Sequence, residues 1–322
     1  MKIVVLDGYL VGVGGLDWSP VERLGEMVYY DLTTRDEDVA AKIGDAQAVL
    51  SNRCPISAQV IDRCPNLKII HSLGTGFNQI DLEAAARRGI TVTNTPGYGT
   101  GAVAQMTVAL LMEIVRRVGE FDRLCKGRGW TQSIDPDVCA IPQMELTGKT
   151  MGIVGLGDIG HAVARVAMAM DMEVLAFRRH PKAALECEHL HFTDLDTLLR
   201  RSDVVSIHCP LNDQTRGMIG REELAAMKPG AILLNTARGP IVDKQALLQT
   251  LDSGHLYAYG ADVSFPEPFG KDDPLACHPR CVITPHVAWM PAQTRQRVID
   301  MAGQTLEAFL AGTPKHVVSA PQ

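Results

Sequence analysis

Short apolar runs punctuate the first hundred residues, and each run ends at a polar or glycine-rich stretch. The runs are KIVVLD, EMVYYD, AQAVLSN, LKIIHSL and ITVTNT, and helical patterns lie between them. Apolar runs of this length with such punctuation are typical of buried parallel strands, which crossover helices must connect. The pattern therefore predicts one α/β unit in residues 1–99.

A second and stricter alternation begins at Gly148. Helical stretches separate most of its six apolar runs, which are TMGIVG, EVLAF, VVSIHC, AILLNTA, YAYGADV and CVITPHV. Six strands that alternate with helices predict a doubly wound parallel sheet of Rossmann type.

Two further helical segments lie outside these patterns, one between them and one after the second. Residues 101–125 show one helical pattern that is too long for a simple crossover, and a loop rich in Gly, Asp and Pro follows as far as Gln143. The helical segment 291–312 comes last, and we expect it to return to the first unit. The chain is therefore predicted to form two α/β domains, residues 1–99 with 291–322 and residues 100–290.

Composition and charge exclude several kinds of partner. The 322 residues are 46% hydrophobic and 21% charged, as in ordinary globular proteins with room for two domains. The net charge of -6 comes without any block of five or six like charges, so we expect no nucleic-acid partner. The apolar run in MKIVVLDGYL is too short for a signal peptide, and Gln105 and Glu113 interrupt the most apolar long segment. We expect no membrane association.

Eight cysteines are scattered without a C-x-x-C pair, which is typical of a reduced, cytoplasmic chain. The grouping of Cys277, His278, Cys281 and His286 matches no common zinc spacing. We therefore expect a cytoplasmic protein without a bound metal.

Gly155, Gly157 and Gly160 fit the pattern G-x-G-x-x-G, with Asp158 and Ile159 between the last two. The pattern follows the strand TMGIV and opens the helix HAVARVAMAM, which is the context that a dinucleotide-binding turn requires. The first glycine permits the tight turn, the second lets a pyrophosphate approach, and the third lets the helix pack on the strand. These residues predict a bound dinucleotide.

The second strand of this sheet ends on Arg178 and Arg179. Sheets that bind NAD usually have an acidic residue there, about twenty residues after the glycines, to bind the ribose 2′-OH. A carboxylate would repel a 2′-phosphate, whereas an arginine can bind it with two hydrogen bonds. The residues favour NADP(H), with NAD(H) as the alternative if both arginines are solvated surface residues.

Three polar side chains follow late strands of the second pattern. Arg238 comes after AILLNT, Glu267 lies in the loop after YAYGADV, and His286 comes after CVITP. Ligands of an open α/β sheet gather outside the carboxyl ends of its strands, so we expect these side chains to converge on one crevice.

With these residues the chain resembles the D-isomer-specific 2-hydroxyacid dehydrogenase family, within it the glycerate dehydrogenase and hydroxypyruvate/glyoxylate reductase branch. The resemblance runs from about residue 3 to residue 318. In addition to the glycine pattern, it rests on SLGTGFNQID, HCPLNDQTRGMI, MKPGAILLNTARGPIVD, GADVSFPEP and ITPHVAW. It implies two Rossmann-like α/β domains with cofactor and substrate in the cleft between them. Residues 1–99 and 291–322 would form the substrate domain, and the dimerisation element of a homodimer would lie at about 101–147.

The resemblance also implies an activity, the reduction of a small 2-keto acid such as glyoxylate or hydroxypyruvate to the D-2-hydroxy acid. By this resemblance Arg238 clamps the substrate carboxylate and carbonyl. His286 is the general acid and base, and Glu267 fixes its tautomer and keeps it protonated.

Further site residues are implied in the same way. Leu73, Gly74, Thr75 and Gly76 resemble the loop whose backbone amides take the substrate carboxylate, although glycine here also fits plain turn chemistry. Asn52 and Arg53 lie where the substrate-domain loop faces the cleft. The residues that the resemblance places along the cofactor, besides the glycine pattern and the two arginines after the second strand, are Thr107, Cys209, Pro210, Thr215, Thr236, Ala237, Arg238, Asp262, His286 and Ala288. For His208 and Cys209 a structural role at a strand end is the alternative.

Other functions stay open at this stage. Arg53 is suited to a substrate phosphate, as in a phosphoglycerate-type dehydrogenase, and a D-lactate-type dehydrogenase shares the same motifs. A nucleotide-sensing, corepressor-like scaffold is a further alternative, since such proteins have the same fold but use the nucleotide to control assembly. The chain departs from its close relatives at Arg178, where they carry Asp, and in the loop WTQSIDPDVCAIPQ, whose effect on substrate choice the residues do not predict.

Overall fold

The computed structural model describes residues 1–33, 36–131 and 135–319. The N-terminal part contains β1 (Lys2–Val5), α1 (Gly8–Gly12), α2 (Ser19–Glu22), β2 (Glu26–Tyr29), α3 (Asp36–Ile43), β3 (Ala48–Ser51), α4 (Ala58–Arg63), β4 (Ile69–Ser72), α5 (Leu82–Arg87) and β5 (Thr91–Thr93). The central part contains α6 (Thr100–Arg116), α7 (Val118–Arg128), α8 (Pro136–Cys139), β6 (Thr150–Val154), α9 (Asp158–Ala169), β7 (Glu173–Phe177), β8 (Leu190–Phe192), α10 (Leu195–Arg201), β9 (Val204–Ile207), α11 (Arg221–Ala226), β10 (Ala231–Asn235), α12 (Lys244–Asp252), β11 (Leu256–Ala261), α13 (Pro274–Cys277) and β12 (Cys281–Ile283). The C-terminal part contains α14 (Ala292–Leu310) and β13 (Val317–Ser319).

The chain divides into two compact units, residues 1–99 with 289–322 and residues 100–288. The first unit is built on a six-stranded sheet in the order β13-β5-β4-β3-β1-β2. Strands β1 to β5 are parallel, and β13 pairs with β5 in the antiparallel direction. Helix α14 packs against α1 and α2 of this unit and buries Val298, Ile299, Ala302 and Leu306 in a core shared with β1 and β3.

The second unit is built on a seven-stranded parallel sheet in the order β12-β11-β10-β9-β6-β7-β8. Strands β7 and β8 lie on one side of β6, and β9 to β12 lie on the other. The strand order therefore reverses between β6 and β9, and their carboxyl ends form the switch point at which such sheets bind ligands. The predicted α/β fold with doubly wound sheets is confirmed.

Helix α9 shows why this fold follows from its residues. Its buried positions Gly160, Val163, Ala164 and Ala167 recur every three or four residues, which places them on one face of the helix against the sheet. Among the described residues, none of the helices combines the length and the apolarity that a bilayer span requires.

The prediction of one helix over residues 101–125 is wrong, because the structure breaks it at Arg117. This residue adopts the left-handed conformation with φ of 52° and separates α6 from α7. The N–H of Gly119, in the first turn of α7, donates to both carboxylate oxygens of Glu113 at 3.2 and 3.1 Å. A carboxylate here satisfies an amide that has no partner inside the helix. The loop that was predicted after this helix includes residues 132–134, which lie outside the described residues.

Candidate active site

The glycine turn after β6 has the shape that a dinucleotide requires. Gly155 has φ of +100°, and a Cβ atom on it would lie 2.6 Å from the backbone nitrogen of Cys209. A Cβ on Gly160 would lie 2.4 Å from the carbonyl oxygen of Gly155, so this glycine lets α9 pack on the turn. Gly157, in contrast, has no atom within 4 Å of its Cβ position. An anion can therefore approach Gly157 and the amides of Asp158 and Ile159 at the start of α9, which the helix itself leaves unpaired.

Arg178 folds back over this turn. Its Nη1 donates to the carbonyl oxygen of Leu156 at 3.0 Å, which places the guanidinium beside the glycines. The exposed side chain of Arg179 turns the other way and donates through Nη2 to Oε1 of Gln214. Across residues 1–33, 36–131 and 135–319, neither arginine pairs with a carboxylate. The end of β7 therefore presents positive charge that no acidic side chain in these ranges neutralises.

The loop after β9 lies against the glycine turn and is closed by Thr215. The Thr215 hydroxyl donates to the carbonyl oxygen of Pro210 at 2.7 Å and accepts from the N–H of Asn212 at 2.8 Å. Cys209 is half-buried, and burial raises the pKa of its thiol. Nε2 of His208 lies 2.8 Å from the Ser206 hydroxyl, and burial lowers the pKa of His208 to about 4. His208 is therefore neutral at pH 7 and well suited to a structural role.

His286 and Glu267 form a hydrogen-bonded pair. Nδ1 of His286 donates to Oε2 of Glu267 at 2.8 Å, while Oε1 of Glu267 accepts from the N–H of Ser264 at 2.7 Å. The side chains are 30% and 34% exposed, so small molecules can reach both. Because Nδ1 faces Glu267, Nε2 lies on the opposite side of the ring.

The loop that carries His286 is anchored by Asp262, a carboxylate only 1% exposed. Its Oδ1 accepts from the hydroxyl of Thr284 at 2.5 Å and the N–H of Val287 at 2.9 Å, and its Oδ2 accepts from the N–H of Ala288 at 2.8 Å. His286 itself has φ of 57°, in a region that residues other than glycine rarely adopt. The bonds on both sides of His286 hold it in this conformation.

Arg238 lies in the turn after β10. Its Nη1 donates to the carbonyl oxygen of Ala237 at 2.7 Å, and the side chain is half-buried. The next residue, Gly239, has no room for a side chain, since its Cβ would lie 2.1 Å from the carbonyl oxygen of Ser264. The turn with Arg238 therefore touches the loop with Glu267. Directly after β10, the hydroxyl of Thr236 lies 2.8 Å from the buried hydroxyl of Thr107 in α6.

In the first unit, the predicted carboxylate loop follows β4. Leu73 is fully buried, and its N–H donates to the carbonyl oxygen of Ser51 at 2.8 Å. The N–H groups of Gly74, Thr75 and Gly76 donate to no acceptor in the part of the chain that the structure describes. Unlike the amide of Leu73, these three have no partner in the described residues, and those of the exposed Thr75 and the half-buried Gly76 are accessible to an anion.

A family model described as "D-isomer specific 2-hydroxyacid dehydrogenase, NAD binding domain" matches residues 108–288. A hydroxypyruvate reductase of Blautia hydrogenotrophica is 44% identical over 99% of this chain and 100% of its own length. The chain belongs to the D-isomer-specific 2-hydroxyacid dehydrogenases. A glyoxylate reductase of Thermofilum pendens is 40% identical over 86% of this chain and 82% of its own. The crystal structure of the TT0316 protein from Thermus thermophilus matches with a TM-score of 0.87 and 38% identity, over 99% of this chain and 100% of that chain.

These similarities confirm the family that the motifs predicted. This dehydrogenase is an oxidoreductase, and its second unit is the domain for a nicotinamide cofactor. Within the described ranges, no group of three or more His, Cys, Asp or Glu side chains is arranged to hold a metal ion.

Two buried polar residues of the dehydrogenase were not predicted from the sequence. Asn235 ends β10, where its Oδ1 accepts from the N–H of Ala237 and its Nδ2 donates to the carbonyl oxygen of Arg238, both at 3.0 Å. Asp7 follows β1, and its carboxylate accepts from the N–H groups of Asn52 at 2.7 Å and Arg53 at 2.5 Å. Each shapes the backbone of a predicted site residue. The signal was present, because each polar side chain directly ends an apolar run, AILLN and KIVVLD.

Asn52 connects the loop after β3, in which it lies, to the loop after β4. Its Nδ2 donates to the carbonyl oxygen of Leu73 at 2.7 Å, and its own carbonyl oxygen accepts from Nε2 of Gln79 at 2.9 Å. Arg53 is exposed, and among the described residues its backbone N–H, not its side chain, is bound, by the Asp7 carboxylate. The structure therefore brings Asn52 to the carboxylate loop and leaves the Arg53 side chain at the surface.

Proposed function

We propose that this dehydrogenase is an NADPH-preferring reductase that converts hydroxypyruvate, glyoxylate or a similarly small 2-keto acid to the D-2-hydroxy acid. The observation that carries this proposal is the 2.8 Å hydrogen bond between His286 and Glu267, in the unit whose glycine turn fits a dinucleotide. The hydroxypyruvate and glyoxylate reductases among the relatives support the substrate class.

Each proposed role follows from the chemistry of the side chain. The bound nicotinamide supplies the hydride. The guanidinium of Arg238 is suited to hold the substrate carboxylate and carbonyl oxygen with parallel hydrogen bonds. His286 donates a proton from Nε2 to the carbonyl oxygen during reduction and takes it back in the reverse direction. Glu267 keeps Nδ1 protonated and stabilises the imidazolium form. In the first unit, we assign the amides of Gly74, Thr75 and Gly76 to an anionic group.

The cofactor preference is inferred from Arg178. Its guanidinium lies beside the glycine turn, at the strand end where an acidic residue selects NAD(H). Without a carboxylate partner in the described residues, the arginine is available to a 2′-phosphate.

A substrate panel tests the proposal directly. Oxidation of NADPH and of NADH is followed with glyoxylate, hydroxypyruvate, pyruvate and a phosphorylated 3-carbon keto acid. We expect the highest kcat/KM with NADPH and one of the first two acids. Tight nucleotide binding without turnover of any acid would favour a nucleotide-sensing scaffold instead.

Replacement of Glu267 by glutamine should move the pH profile of reduction. Because reduction consumes a proton from the donor, the reduction rate falls at high pH. Loss of the carboxylate partner destabilises the charged form of the donor, so we expect this fall to move to lower pH. The measurement is kcat for reduction from pH 5 to 10 in wild type and Glu267→Gln. A coincident pair of profiles would remove Glu267 from its proposed role.

We also propose that the enzyme is a homodimer that forms through α7 and acts in the cytoplasm. Helix α7 buries none of its residues; its Val118 is 62% exposed, and Trp130, two residues after its end, is 77% exposed. Apolar side chains in such an exposed element support an isologous contact with a second copy. Within the described residues the eight cysteines form no disulfide, which fits a reducing compartment.

Light scattering tests the assembly. At micromolar concentration we expect a mass near twice the 34.9 kDa of the chain. Val118→Asp should shift the mass towards the monomer, because it places a charge in the proposed contact. Leu310→Asp changes an equally apolar side chain, 52% exposed on α14, and should leave the dimer intact. A wild-type monomer under these conditions would contradict the proposal.

A further inference from the structure

A lysine outside the proposed catalytic group holds the loop that carries Glu267. Lys244 begins α12, and its Nζ donates to the carbonyl oxygen of Phe265 at 3.3 Å. The same Nζ lies 2.5 Å from Oδ2 of Asp273. The two side chains are only 27% and 8% exposed, so solvent screens this pair less than an ordinary surface ion pair.

Asp273 gives the lysine a fixed partner. Its Oδ1 accepts from the N–H groups of Leu275 at 3.0 Å and Ala276 at 3.4 Å, and it thereby caps α13. Burial raises the pKa of the Asp273 carboxyl, but the hydrogen bonds from Lys244, Leu275 and Ala276 outweigh this effect and lower the pKa. The carboxylate is therefore charged at neutral pH and rigidly placed.

The turn that precedes α12 also contacts the loop that carries Glu267, at a second point. Gly239 approaches Ser264 so closely that a Cβ would lie 2.1 Å from the Ser264 carbonyl oxygen. The N–H of Ser264 in turn donates to Oε1 of Glu267. The loop is thus held by backbone contact at Ser264 and by the ammonium group at Phe265, two residues before Glu267.

We propose that Lys244, fixed by Asp273, is a positioning residue that keeps Oε2 of Glu267 within hydrogen-bond distance of His286. This inference rests on the proposed function, since it requires Glu267 to act on His286. Lys244 acts on Glu267 through the backbone of the loop, at the carbonyl oxygen of Phe265. Loss of the lysine removes the contact at Phe265, and the backbone contact at Ser264 remains.

Lys244→Met tests the proposal, because methionine keeps an unbranched apolar stem and removes the charged donor. We expect kcat for reduction to fall by about 10-fold, since small displacements of acid-base groups cost much of their effect. The KM for the keto acid should change by less than about two-fold, since Arg238 is untouched. The fall of the rate at high pH should move to lower pH, in the direction of Glu267→Gln but by less. Lys244→Arg should restore most of the activity.

Lys228→Met is the matched control. Lys228 pairs with Asp203 at 3.1 Å in the same unit, with side chains 38% and 26% exposed, but Asp203 lies at the amino end of β9. We expect a kcat and a pH profile like those of the wild type. Asp273→Asn removes the partner charge with little change in shape, and should shift the profile in the same direction as Lys244→Met. It decides the question if Lys244→Met does not fold.

The double variant Lys244→Met/Glu267→Gln separates this inference from the proposed function. If the lysine acts through Glu267, its replacement should leave the profile of Glu267→Gln unmoved. A shift in Glu267→Gln without one in Lys244→Met and Asp273→Asn would overturn the inference alone. Independent, additive effects of the two replacements would overturn it as well. No shift in Glu267→Gln would overturn the proposed role of Glu267, and the inference with it.

Discussion

Replacement of His286 by alanine should lower kcat for keto-acid reduction by about 10²- to 10⁴-fold, the usual contribution of a general acid. The alanine variant loses the proton donor and the hydrogen bond to Glu267, while the glycine turn after β6 is unchanged. NADPH binding, measured by fluorescence titration, should therefore stay close to that of the wild type. A low kcat together with normal NADPH affinity would show that the variant has lost its proton donor and not its folded structure.

A surface pair offers the control. His189 and Glu173 of the same unit have the same hydrogen bond, with Nδ1 2.9 Å from Oε1, and their side chains are 53% and 51% exposed. His189→Ala removes this pair and should leave kcat within about two-fold of the wild type, as surface changes usually do. If His286→Ala kept more than about a tenth of the wild-type rate, His286 would not be the proton donor.

Arg178→Asp should reverse the cofactor preference. A charge-assisted hydrogen bond contributes about 1.5 to 3 kcal/mol, or roughly 10- to 100-fold in affinity. If Arg178 binds the 2′-phosphate as proposed, the variant loses this bond and adds repulsion, so KM for NADPH should rise by at least about 10-fold. KM for NADH should stay similar or fall, because an acidic residue can bind the ribose 2′-OH. Arg179→Ala should have a smaller effect, since its side chain is turned towards Gln214.

The same charge change elsewhere separates the local contact from the overall field. Arg200 on α10 is an exposed arginine of the same unit, 61% exposed and paired with Asp196. Arg200→Asp should leave the ratio of kcat/KM for NADPH and NADH unchanged. A wild type that prefers NADH, or an Arg178→Asp variant whose ratio does not move, would mean that the arginines at the end of β7 are surface charge.

The fold was predictable where the apolar runs are long. Strands such as β3, β4 and β10 are buried along their whole length, so burial dictates their composition. The strands β8 and β13 were not predicted, because their pairing at a sheet edge depends on neighbours distant in the chain. The break between α6 and α7 at Arg117 is accompanied by hydrogen bonds from the Gly119 N–H to the Glu113 carboxylate. The spacing of apolar residues, from which the helix was predicted, contains no information about such a polar contact.

The site was predictable to the level of strand ends. The apolar runs before Arg238, Glu267 and His286 place these residues where parallel strands finish. The distances between these three side chains depend on tertiary contacts. The contacts that hold their loops in place depend on tertiary structure as well. Lys244 meets Phe265 and Asp273, which lie 21 and 29 residues away in the chain. The spacing of residues along the chain does not indicate contacts over such separations. From the sequence alone, Lys244 is therefore indistinguishable from any residue at the start of a helix.

The reduction of hydroxypyruvate with NADPH carrying deuterium at the transferred position tests the central claim most directly. The measurement is the label and the configuration at C2 of the product, by mass spectrometry and chiral chromatography. The account predicts D-glycerate with one deuterium at C2 in the wild type, and a rate about 10²- to 10⁴-fold lower in His286→Ala. L-glycerate, product without the label, or equal rates in the two proteins would contradict it.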